Sequence, residues 1–89
     1  MAWSYDPAAI EKGLNFIRLM VGDTDTTDQQ ISDEEINAIL AIEPDKWKAA
    51  AQVAEAISAK YTRYGASEEA ERFRILADLL KIRAGARYL

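Results

Sequence analysis

Apolar residues recur at helical spacing in four stretches of this chain, with turn chemistry between them. Ile10, Leu14, Ile17 and Val21 make the first stripe, widened by Phe16, Leu19 and Met20. Asp6-Pro7 suits a helix opening, because aspartate caps and proline fits the first turn, and Gly22 suits the close. A first helix is predicted over about 7–20. The polar run from Gly22 to Gln30 has no periodicity and reads as a loop. Ser32-Asp33-Glu34-Glu35 then matches a capping box, with Ile36, Ile39 and Leu40 as the buried face of a short second helix over about 33–41. Glu43-Pro44-Asp45 breaks that helix and caps a third, about 46–64, whose stripe is Trp47, Ala50, Ala51, Ala54, Ile57, Ser58 and Tyr61. Gly65 closes it, Ser67 caps a fourth over about 68–84, and Gly85 ends the fourth. No stretch alternates apolar and polar as a half-buried strand does. The expected fold is one all-α domain of four helices with exposed termini and residues 85–89 as a tail.

The fourth helix carries more apolar surface than one core face requires. At about 100° per residue, Phe73, Leu76, Ala77, Leu80 and Ala84 share one side, while Ile75, Leu79 and Ile82 lie nearly opposite, with Arg72 and Glu71 flanking them. A helix apolar on two sides is either sandwiched within its own domain or shared with another chain. The shared reading makes Arg72, Ile75, Leu79 and Ile82 a subunit interface. Charge is divided along the chain as well. Residues 1–45 hold ten acidic and two basic side chains, and residues 46–89 hold five and nine. Either the two halves neutralise each other within one subunit, or the subunit has an acidic and a basic side. The second arrangement packs head to tail, and such a contact closes into a ring when the rotation allows.

Composition removes several kinds of chemistry. The 89 residues include no histidine and no cysteine, which excludes a Ser-His-Asp triad, a thiol nucleophile, a zinc finger and a disulfide. The net charge of −4 is a poor match for gripping nucleic acid, and acids interrupt the basic residues of the fourth helix. No phosphate-cradling glycine loop occurs. The paired carboxylates Glu34/Glu35 and Glu68/Glu69 fall in first helical turns, where acids belong for dipole reasons. Nothing in these residues calls for an enzyme or a cofactor. The N-terminus has neither the basic nor the apolar region of a secretory signal, and the apolar runs are too short to span a bilayer.

Asp23-Thr-Asp-Thr-Thr-Asp28 has some of the spacing of a calcium loop. Asp23, Asp25 and Glu34 take ligand positions, but Asp28 stands where the sharp turn wants glycine. The competing reading is a surface loop of side-chain-to-backbone turns. At the ends of the chain, Trp3 is expected to staple onto the first helix. Arg87-Tyr88-Leu89 either tucks onto its own domain or anchors in a partner, tyrosine being a frequent hot-spot residue.

Phe16-Ile-Arg-Leu-Met-Val-Gly-Asp-Thr-Asp25, followed by Gln30-Ile-Ser-Asp-Glu-Glu-Ile-Asn-Ala-Ile-Leu40, resembles the N-terminal half of the small head–tail connector (adaptor, or head-completion) proteins of tailed bacteriophages. The Ala-rich stretch Lys48–Lys60 and the final helix from Glu69 to Leu80 continue the pattern over most of the chain. The resemblance implies a non-enzymatic virion protein of the neck, present in the host cytoplasm during assembly. It implies a ring, commonly of twelve subunits, under the portal protein, which extends the DNA channel and docks a stopper or tail-completion protein. DNA would pass through without specific binding, and no membrane or cofactor is involved. The C-terminal segment would reach the portal, giving Arg87, Tyr88 and Leu89 that role. Many such proteins have a longer polar insertion before the last helix, whereas only Gly65-Ala66 separates Tyr64 from Ser67 here. The alternative is a small helical regulatory or ligand-binding bundle acting as a monomer or dimer.

Overall fold

Asp6 does open a turn, but not the long first helix. Its carboxylate accepts from the Ala8 N–H at 3.0 Å and caps a short 3-10 turn, Pro7–Ala9, in a computed structural model that describes residues 2–86. The chain then stretches at Lys12 (φ −74°, ψ 132°), and helix α1 runs only over Gly13–Val21. Two features favour this late start. The Asn15 side chain accepts from the Asp6 N–H and donates to the Ala9 carbonyl, both at 3.0 Å, so it clamps the turn against the helix. Gly13 also sits against Leu40, whose side-chain carbon would lie 3.1 Å from an added Cβ, so glycine lets the helix begin at this close approach. Gly22 closes α1 in the left-handed conformation, φ 76°.

Helix α2 spans Asp33–Ile42, α3 Lys46–Arg63 and α4 Ser67–Ala86. Ser32 caps α2 by accepting from the Glu35 N–H, and its own hydroxyl donates to the Glu35 carboxylate. Asp45 caps α3 through the Trp47 and Lys48 amides. Gly65 (φ 75°) turns the chain from α3 into α4, and the Ala66 N–H bonds back to the Tyr61 carbonyl. The expected end of the last helix at Gly85 is corrected. Gly85 has no positive φ, and a glycine stops a helix only where the backbone turns left-handed, so α4 continues to Ala86. Residues 85 and 86, assigned to the tail, are thus part of α4, and Arg87, Tyr88 and Leu89 lie outside the described residues. Among the described residues there is no strand, and no helix is long and apolar enough to cross a membrane.

Helix α3 is the shared neighbour of the others: α4 packs along it, and α1 and α2 pack on it and on each other. Ala49, Ala50, Ala51 and Ala54 are buried on α3, and Ala70, Ala77 and Ala84 on α4. Small side chains on both helices let their backbones come close over a long contact. Ile17, Ile36, Val53 and Ile57 fill the space toward α1 and α2. Burial of each of these is worth about 1.5–3 kcal/mol. Aromatic pairs close the two ends. Phe16 meets Trp47 edge-on at 4.9 Å, and Tyr61 stacks on Phe73 at 5.7 Å.

Candidate interaction surface

The two apolar sides of the last helix have different fates. Ala70, Ala77, Leu80 and Ala84 are buried against α3, with Phe73 and Leu76 half-buried beside them. Ile75, Leu79 and Ile82 stay 50, 54 and 67% exposed. The sandwiched reading of this helix is thereby removed: α4 has its one substantial partner in α3, and nothing in the described part of the chain covers the outer stripe. Single exposed apolar residues are ordinary, whereas three on successive turns of one helix face make a patch. Arg72 is exposed beside the stripe and also borders a groove with Tyr61, Phe73 and Leu76. On the opposite rim Glu71 pairs with Arg74, and behind it Lys81 pairs with Glu55 of α3. The structure thus brings Arg72, Ile75, Leu79 and Ile82 onto one exposed face. Elsewhere, Ile42 is 82% exposed at the end of α2.

A second site was not anticipated. Arg18 is fully buried, on the same helix face as Leu14, Ile17 and Val21. Its guanidinium donates to the Asp23 carboxylate, to Asp33 at 2.5 Å, to the Ile31 carbonyl at 2.9 Å and to the Ser4 carbonyl at 2.7 Å. Asp23, also fully buried, accepts from the Trp3 indole at 3.2 Å and from the Gln30 amide at 3.0 Å. The Trp3 ring covers the guanidinium at 4.6 Å. Asp33 takes the Ser4 N–H and hydroxyl, while its own N–H bonds the Ala2 carbonyl. Residues 2–4 are held as a strap by residues of α1, the following loop and α2. Trp3 does staple onto its own domain, through its indole bond to Asp23 and its ring over the Arg18 guanidinium. A readable signal existed: Arg18 falls four residues after Leu14 in an apolar stripe, and a charge on a core face must find a partner.

The residues that suggested a calcium loop are committed to separate partners. Asp23 is committed to Arg18 and Trp3. Asp25 accepts from the Thr27 N–H and hydroxyl, a side-chain turn. Asp28 holds the Gln30 amide group, and Glu34 takes the Ala2 N–H at 2.9 Å. These four carboxylates do not converge, and among the described residues no group of three or more metal-ligating side chains forms.

Asp33 sets a pH dependence. Burial works against its charge, but hydrogen bonds from Arg18 and Ser4 and the Arg18 charge outweigh burial and hold the carboxyl below its ordinary 3.8. A carboxyl depressed in the folded state stabilises fully above its unfolded value and loses that contribution as pH falls through the folded one. The urea midpoint should therefore drop as pH moves from about 5 toward 3, and Asp33→Asn should make that drop shallower. Equal slopes for both proteins would count against Asp33 as the titrating group.

No family model matches the chain, and no curated protein or solved structure matches it.

Proposed function

We propose that this chain is a structural assembly subunit, a head–tail adaptor of a tailed-bacteriophage neck. Copies form a ring under the portal, extend the DNA channel and present a docking surface for the stopper or tail. The carrying observation is the uncovered stripe Ile75, Leu79 and Ile82 on a helix whose other face is already buried. Such a stripe costs solubility unless another surface covers it, and repeated copies cover it at every position of a ring. The Arg18 network adds support to the family reading. The separated pieces of the resembling pattern, Arg18-Leu-Met-Val-Gly-Asp23 and Ser32-Asp33-Glu34, meet in one ion-paired unit, which accounts for their order and spacing together. In this role the protein works by contact alone, without catalysis or a cofactor. Arg87, Tyr88 and Leu89 supply the portal contact.

Incubation of the purified chain with the portal ring of the phage or prophage that encodes it, imaged by electron microscopy, tests the proposal. A second ring of density under the portal is the expected result. A portal that stays bare, together with particle necks lacking this polypeptide, would overturn it.

A further inference from the structure

We infer that the outer stripe of α4 on one copy seats on the outer face of α2 on the next, so that neighbours join head to tail through two different surfaces of the same fold. The inference rests on the ring reading and names the surface opposite α4. At about 100° per residue along α3, the side chains that meet α4 fall in one sector: Glu55 pairs with Lys81, Ser58 donates to the Ala70 carbonyl, and Tyr61 stacks on Phe73. Ala56 and Lys60 lie roughly opposite that sector, and they share a groove with Glu35 of α2. Helices α2 and α4 therefore meet α3 in different sectors, and the two make no substantial contact with each other. A single copy cannot bring the two together, whereas a row of copies does so at every junction.

The two faces match in character. On α4, Ile75, Leu79 and Ile82 project, with Arg72 along one edge and Arg83 further along it, its guanidinium 6.0 Å from the centre of its own Trp47 ring. On α2, Ala38 and Ala41 are exposed and leave room for bulky side chains, Ile42 projects at 82% exposure, and Glu35 and Glu43 stand at the two ends. Arg72, Arg83 and Glu43 form no ion pair among the described residues. Eleven helical steps separate the two arginines, roughly 16 Å, and eight separate the two glutamates, roughly 12 Å. Guanidinium side chains are long enough to close that difference. Pairing α4 with α4 would instead stop at a dimer and leave Ile42 bare.

The chain has no cysteine, so introduced thiols report contacts cleanly. Full-length protein carrying Ile42→Cys with Leu79→Cys is concentrated and treated with a short bis-maleimide, and helical content is checked by circular dichroism. The expected result is a ladder of dimers, trimers and larger species, with Leu79→Cys alone remaining monomeric. Dimers from Leu79→Cys alone, no species above monomer, or an equal ladder from Thr26→Cys with Leu79→Cys would each overturn the pairing. None of those outcomes touches portal binding by the unaltered chain, which decides the adaptor reading separately.

Discussion

Replacing Arg18 with alanine is expected to lower the unfolding free energy by about 3–5 kcal/mol. The loss comes mainly from what is left behind. Asp23 is fully buried, and without Arg18 its carboxylate keeps only neutral donors, the Trp3 indole and the amides of Gln30 and Ile31. The Ser4 and Ile31 carbonyls lose their charged donor at the same time. A domain of 89 residues has roughly 4–13 kcal/mol to lose, so the variant sits near its unfolding threshold. Arg18→Lys should recover little, because one ammonium cannot reach Asp23, Asp33 and two carbonyls together. Arg18→Met with Asp23→Asn should recover more, since it removes both charges rather than stranding one. Urea unfolding at neutral pH, followed by helical circular dichroism, makes the comparison. A loss below about 1 kcal/mol for Arg18→Ala would mean that water reaches the carboxylate and that the cluster is not the clamp described.

Changing Ile75 and Ile82 together to glutamate should have the reverse signature. Both side chains are more than half exposed or at that boundary, so the stability of the isolated chain should move by no more than about 0.5 kcal/mol per site. Assembly should fail completely. Each junction would have to bury two carboxylates where apolar contact is expected, and unpaired buried charge costs several kcal/mol. A ring repeats that penalty at every interface. The readouts are helical content and melting temperature for the free protein, and ring formation under the portal for the assembly. Normal rings from a folded double variant would refute this face as the contact.

The contrast between these substitutions follows where sequence patterns inform and where they do not. Periodicity located four apolar stripes, and capping chemistry located the starts of α2 and α3, because Ser32 and Asp45 act on their immediate neighbours, whereas Ser67, expected to cap the last helix, is its first residue. The first helix was overextended for the same reason. Its apolar period continues back to Ile10, but the Asn15 clamp and the contact of Gly13 with Leu40 join residues that no local rule relates. Gly85 shows the limit of reading glycine as punctuation, since its permissive backbone allows a stop without requiring one.

The candidate surface divides in the same way. From the sequence alone came an all-helical chain, a last helix with two apolar faces and an uneven spread of charge, all of them properties of one-dimensional spacing. Which face of that helix the chain uses for itself was decided only by α3 packing along it, and the buried Arg18–Asp23–Asp33 cluster only by a loop that brings residues 18, 23 and 33 together. Local hydrogen bonds and periodicity act over a few residues and can be read from order. Burial and charge pairing depend on distances through space, and those exist once the helices have packed.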